Sequence, residues 1–282
     1  MLTRVISGAV FTAIMVAFFL LREFVDYRIF ALLICFFCAV GTFEVVRAYK
    51  NRTCKIERVL NLIFGVLAVP FYAVSKYVFE YRFSLPLTIT FSVAFVVLTI
   101  LLVLIFSKKK DVNLLGFFYP SILLFFILEC NSFMVEKGFI ALLLIFVLSP
   151  LTDTFAYFVG FIYNKIRKGK AKKLCPNLSP KKTIAGAIGG LIGGVVGGIL
   201  VYFIFTNKVA TLKLKNGLVF FIIICVLGSI ISQLGDLFES FVKRSVGIKD
   251  MGKIMPGHGG VMDRIDGITF AGAFIYAVFA FI

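Results

Sequence analysis

Nine stretches of sixteen or more mostly apolar residues, separated by short charged connections, run the length of this 282-residue chain. Runs such as "FALLICFFCAV" (30–40) and "VFFIIICVLGSII" (219–231) are apolar on every side. That pattern suits a helix surrounded by lipid and not a strand of a closed barrel, which would alternate residue by residue. A soluble domain of this size could not cover a chain that is 61% hydrophobic with the polar residues it has. The fold class expected is therefore an all-α integral membrane protein, a polytopic bundle of about nine transmembrane helices. The spans are placed at 5–21, 29–46, 59–79, 84–106, 112–129, 138–163, 183–206, 217–240 and 267–282. The last is a little short of the ~20 residues a crossing needs.

The connections carry the charge. Of the 30 Lys and Arg, 22 fall at the N-terminus and in the connections after the second, fourth, sixth and eighth spans, and 8 fall in the alternate set. By the positive-inside bias the first set is cytoplasmic, with the N-terminus inside and the C-terminus outside. The formal charge of +16 is thus a topological signal that also suits anionic lipid headgroups, and nucleic acid is excluded as a partner. No cleavable signal peptide is expected, because charged "REFVDYR" follows the first run. A bacterial inner, or plasma, membrane is the expected location. The six cysteines read as small buried hydrophobes; Cys35 and Cys38 form a mid-span C-x-x-C without a second pair or a histidine. Two regions are expected, N-terminal transmembrane helices over 1–135 and a catalytic transmembrane region with cytoplasmic loops over 136–282.

One connection is not explained by topology. Residues 240–266, "SFVKRSVGIKDMGKIMPGHGGVMDRID", hold five Lys or Arg, three Asp, the chain's single histidine and a series of glycines from Gly247 to Gly260. Membrane anchoring does not call for carboxylates beside cations and flexible backbone. Carboxylates crowded at one surface favour a hard divalent cation with oxygen ligands, and Mg²⁺ is usual where phosphates share the shell. Lys243, Arg244, Lys249, Lys253 and Arg264 supply charge for phosphate oxygens, and the backbone of "GHGG" can close on them. The helix leading into the loop carries a polar stripe, Ser229, Gln233, Asp236, Ser240 and Lys243, within about 80° on a helical projection. Glu239 falls at its edge.

Other features are weighed in the same way. Asp153 lies inside the sixth span three residues beyond Pro150, where a buried carboxylate would need a partner from the following basic loop or a metal. Glu44, near the end of the second span, reads as interfacial. "GAIGGLIGGVVGG" (186–198) repeats glycine every fourth residue and reads as a helix-packing face rather than a phosphate cradle. "GIKDMGK" (247–253) has P-loop spacing but ends in Ile254 where Ser or Thr is needed, and it follows a membrane helix rather than a strand. A lone histidine with no nucleophile beside it excludes a Ser-His-Asp arrangement.

At these residues the chain resembles the phosphatidate cytidylyltransferases, or CDP-diacylglycerol synthases, whose signature reads S-x-x-K-R-x-x-x-x-K-D-x-G followed by P-x-H-G-G-x-x-D-R-x-D. Ser240, Lys243, Arg244, Lys249, Asp250, Gly252, Pro256, His258, Gly259, Gly260, Asp263, Arg264 and Asp266 fill it. "SQLGDLFES", "SPKKT" and the Asp153 segment add to the resemblance over the C-terminal half, while the N-terminal half is similar in hydropathy only. The resemblance implies a Mg²⁺-dependent membrane enzyme that joins CTP and phosphatidic acid into CDP-diacylglycerol and pyrophosphate. It puts the metal on Asp236 and Asp263, with Asp250 or Asp266 assisting and Lys243, Arg244, Lys249, His258 and Arg264 around the phosphates. Asp153, Ser179, Lys181, Lys182, Gln233, Ser240, Gly259 and Gly260 are the expected substrate-binding residues. A second, monovalent cation and a homodimer are left open. The rival readings are a CTP-dependent lipid kinase, which would release CDP, and a secondary transporter coupling ions to its buried carboxylates. A CDP-alcohol phosphotransferase is disfavoured because its D-G-x-x-A-R motif is missing.

Overall fold

The structure, a computed structural model, describes residues 2–53, 55–79, 110–133, 135–257 and 259–282. Among these the elements are α1 (Leu2–Phe24), α2 (Ile29–Ala48), α3 (Lys55–Phe79), α4 (Lys110–Asn131), α5 (Val135–Ile166), β1 (Lys173–Cys175), β2 (Ser179–Thr183), α6 (Ile184–Ile204), the short α7 (Thr206–Ala210), α8 (Gly217–Ser245) and α9 (Met262–Ala280). Six of the described helices are long and apolar enough to cross a membrane. The chain is a multi-pass membrane protein of the all-α class, its two described strands forming one short hairpin. Each expected span that can be compared has its helix; the fourth, 84–106, lies outside the described residues.

The chain forms two compact units, one from residues 1–128 and 250–264 and the other from 129–249 and 265–282. In the first, α2 is the central element. Phe30, Ile34, Phe37, Cys38 and Val45 are buried along it, whereas α1 leaves Ile6, Val10 and Ile14 exposed, as a lipid-facing helix should. Ser121 of α4 donates to the Gly65 carbonyl of α3 at 3.1 Å, and the Tyr72 and Phe125 rings meet edge to face at 4.6 Å.

In the second unit, α6 is packed between α5 and α8, and its glycines are the reason. A Cβ at Gly189 would lie 2.5 Å from Val159, and one at Gly193 would lie 2.6 Å from the Leu151 carbonyl oxygen, both on α5. Gly194 and Gly198 sit against Ser229 and Cys225 of α8 with no room for a methyl group. The packing reading of this segment holds, and the driving force is close backbone approach in a solvent that offers no hydrophobic gain. Hydroxyls join the helices as well: Ser149 and Ser232 lie 2.9 Å apart, and Thr152 donates to Ser229 at 3.0 Å. Helix α5 continues without a break through Pro150.

Two expectations need correction. The basic connection 164–182, read as a plain loop, contains an antiparallel hairpin in which Lys173 pairs with Thr183 and Cys175 with Ser179. Thr183 then starts α6 by accepting the Gly186 N–H at 3.0 Å. The ninth span, read from residue 267, begins at Met262, so Asp263 and Asp266 are helical residues and not loop residues.

Candidate active site

Helix α8 has 29 residues, about 43 Å at 1.5 Å per residue, against about 30 Å of hydrocarbon. Asp236 lies nineteen residues beyond Gly217, so it, Ser240 and Lys243 occupy the C-terminal third of the helix. The members of the polar stripe have different partners. Ser229 is buried and accepts from Thr152. Gln233 donates its amide to the Ala187 carbonyl of α6 at 3.3 Å. Asp236 is partly exposed and pairs with Lys182 of β2, Nζ to Oδ2, at 2.5 Å. Ser240 is buried. Lys243 lies 2.7 Å from Glu239 one helical turn back.

Glu239 is the residue the sequence reading undervalued. It is fully buried, holds Lys243, and lies beside Asp266 at the start of α9. Asp266, also buried, is within electrostatic reach of Asp236 and Lys243 and accepts the Gly267 N–H at 2.7 Å. The second unit therefore gathers three carboxylates, Asp236, Glu239 and Asp266, with two ammonium groups, Lys182 and Lys243. Such a cluster holds together because the signs alternate. The signal for Glu239 was present in the sequence as its four-residue spacing from Lys243.

The first unit holds the glycine-rich turn. Asp263 Oδ2 accepts two backbone N–H groups, from Gly260 at 2.7 Å and Met251 at 2.9 Å. Gly259, at φ +87°, leaves the space that Asp263 needs, since a Cβ there would stand 2.6 Å from the same oxygen. The turn is closed by a bridge in which Met255 donates to the Gly259 carbonyl at 2.9 Å. A second carboxylate enters from α2. Glu44, read as interfacial, is 1% exposed and accepts from Val261 at 3.0 Å and Met262 at 2.9 Å. Negative charge at a helix N-terminus is stabilising, and here it also satisfies amides that α9 leaves without internal partners.

The remaining expected site residues are placed as follows. Lys181, Arg244, Lys249, Asp250 and Arg264 are exposed, and Ser179 is half-buried at the start of β2. Arg244 donates to the Ile248 carbonyl at 3.0 Å, which closes the turn after α8. His258 lies outside the described residues. Asp153 is exposed on α5 in line with exposed Tyr157 and Phe161, which corrects the expectation of a carboxylate buried in the bundle. The cause is that α6 covers the opposite flank of α5, where Thr152 and Ala156 face its glycines.

Chemically, these residues offer hard carboxylate oxygens, ammonium groups paired with them, and a glycine-rich backbone. Among the described residues no three His, Cys, Asp or Glu side chains form a group that could enclose a metal ion. In general, an ion such as Mg²⁺ binds through one or two carboxylates and completes its shell with water and phosphate oxygens. The Lys182 ammonium balances the charge of Asp236.

Comparison with known proteins agrees with this chemistry. Phosphatidate cytidylyltransferases of Brucella abortus and Brucella melitensis are 39% identical over 146 residues, which is 51% of this chain and 49% of theirs. That of Rickettsia conorii is 41% identical over 127 residues, 45% of this chain and 52% of its own. The matched stretch thus spans about half the length of these relatives. The model of the cytidylyltransferase family matches residues 2–282. With helices, carboxylate cluster and glycine turn all inside the matched range, the chain belongs to the cytidylyltransferase family.

Proposed function

We propose that the chain transfers CMP from CTP to phosphatidic acid, giving CDP-diacylglycerol and pyrophosphate, on the cytoplasmic side of a bacterial inner membrane. The observation that carries this reading is the match to the cytidylyltransferase family over the whole chain, together with relatives named phosphatidate cytidylyltransferase. In the transfer, a phosphate oxygen of phosphatidate forms a bond to the α-phosphorus of CTP. The bond from that phosphorus to the oxygen bridging to the β-phosphate breaks, and pyrophosphate leaves with the electron pair.

Three anionic groups must meet for this to happen, so charge neutralisation and alignment account for most of the rate. We assign Mg²⁺ to the carboxylates of Asp236 and Asp263, where it would neutralise phosphate charge and hold oxygens in line. Lys182 and Lys243 are each held beside a carboxylate of the cluster and can turn to phosphate when nucleotide arrives. Arg244 near the end of α8, Lys249 in the connection and Arg264 in the first turn of α9, all exposed, guide the anionic substrates in. Gly259 and Gly260 leave room for the Asp263 and Glu44 carboxylates that shape the turn.

The test is purified protein in detergent with CTP labelled at the α-phosphate, with and without phosphatidate and with EDTA. Label should enter lipid, pyrophosphate should appear in equal amount, and EDTA should stop both until Mg²⁺ is restored. Release of CDP with unlabelled phospholipid would instead identify a CTP-dependent lipid kinase and overturn the reading.

A further inference from the structure

We propose that Glu44, from the N-terminal helix α2, is a positioning residue that holds the glycine turn and the first turn of α9 in register, and so sets the orientation of Asp263. The inference rests on the transfer reaction proposed above for its effect on rate. It stands on four observations. Glu44 is 1% exposed, in a helix whose other buried residues are mostly apolar. Its two oxygens divide two adjacent amides between them, Oε1 taking Val261 and Oε2 taking Met262. Two glycines of the turn, Gly252 and Gly260, are pressed so closely against its carboxylate that neither could carry a Cβ. One turn earlier on the same helix, a Cβ at Gly41 would lie 2.7 Å from Met262 Sδ, so α2 offers the start of α9 a fitted seat.

The consequence for Asp263 is geometric. Gly260 donates to Asp263, while the next two amides donate to Glu44. Three consecutive N–H groups are thus aimed by two carboxylates, and Met251 ties the far side of the turn to the same Asp263 oxygen. Without Glu44 the amides of Val261 and Met262 would turn elsewhere for acceptors and rotate the peptide planes on which Asp263 depends. Glutamine cannot replace it, because one of its two groups is a donor and would face an N–H.

The experiment compares the full-length protein with Glu44→Gln and Gly252→Ala by hydrogen–deuterium exchange in detergent and by CMP transfer. In Glu44→Gln, exchange should quicken in peptides covering 251–262 and stay as before in α5, α6 and α8. Transfer should fall about 10²-fold, the usual effect of a displacement near 1 Å in a reacting group. Gly252→Ala, which forces a methyl group onto the same carboxylate, should give the same pattern, and the double variant should cost no more than the worse single one. Unchanged exchange in 251–262, quickening of equal size in all helices, turnover within twofold of the unsubstituted protein, or additive losses in the double variant would each overturn the proposal. If Glu44→Gln does not yield folded protein, Gly252→Ala decides by the same criteria. If the unsubstituted protein makes no lipid-linked CMP, the proposed reaction fails, and the exchange data alone decide whether Glu44 holds the turn.

Discussion

The two aspartates assigned to Mg²⁺ have opposite kinds of neighbour, and their substitutions should differ accordingly. Asp236 faces an ammonium, Lys182, while Asp263 faces two amides. Asp236→Asn removes charge without loosening the fold, so CMP transfer should drop by at least about 10²-fold while unfolding temperature and elution in detergent stay as before. Normal turnover would remove Asp236 from the reaction. Lys182→Met leaves Asp236 without its counter-charge and should cost less in the presence of Asp236→Asn than alone. A double-mutant cycle on transfer rate measures this coupling, and strict additivity would mean the pair does not act as a unit. The sequence showed Asp236 and Lys243 clearly, because both lie on one helical stripe. It could not show how Lys182 and Asp266 relate to them, since neither a hairpin nor a helix start is visible in local periodicity.

At the scale of elements, the small-residue face of α6 makes the sharpest claim. A side chain at Gly194 would displace Ser229 of α8 and Thr152 of α5 together. Gly194→Val should therefore lower stability by about 1–3 kcal/mol, as overpacking of a filled interior does, whereas Ile192→Val on the exposed face of the same helix should leave it nearly unchanged. Thermal unfolding in detergent separates the two, and equal effects would mean that α6 is not gripped on that side. Thr183→Ala, which deletes the acceptor for the Gly186 amide, should cost about 1 kcal/mol. The helices were legible because each is a continuous apolar run, and α6 also announced its packing face through its four-residue glycine spacing. The start of α9 was not legible. Its first amides are satisfied by a carboxylate 217 residues away in the chain, and no local pattern encodes a cap of that kind.

For the molecule as a whole, the second unit already separates its charged connections by end. Glu136, at the start of α5, pairs with Lys208, which follows α6, at 3.1 Å, while Lys182, just before α6, pairs with Asp236 far along α8. Alternate connections thus lie at opposite ends of the α5, α6 and α8 group, the arrangement on which the charge count depends. In sealed inner-membrane vesicles of known orientation, and with native cysteines replaced, Lys172→Cys should react with a membrane-impermeant maleimide from the cytoplasmic face and Lys215→Cys from the other. The reverse pattern would invert the orientation proposed here. The seat that α2 gives to the glycine turn bears on how this protein can be cut. The glycine motif lies in the C-terminal half of the chain, yet the acceptor that steadies it, Glu44, is supplied by the N-terminal half. A fragment beginning after α4 should be inert by itself, and co-expressing the missing N-terminal piece in trans should bring its chemistry back.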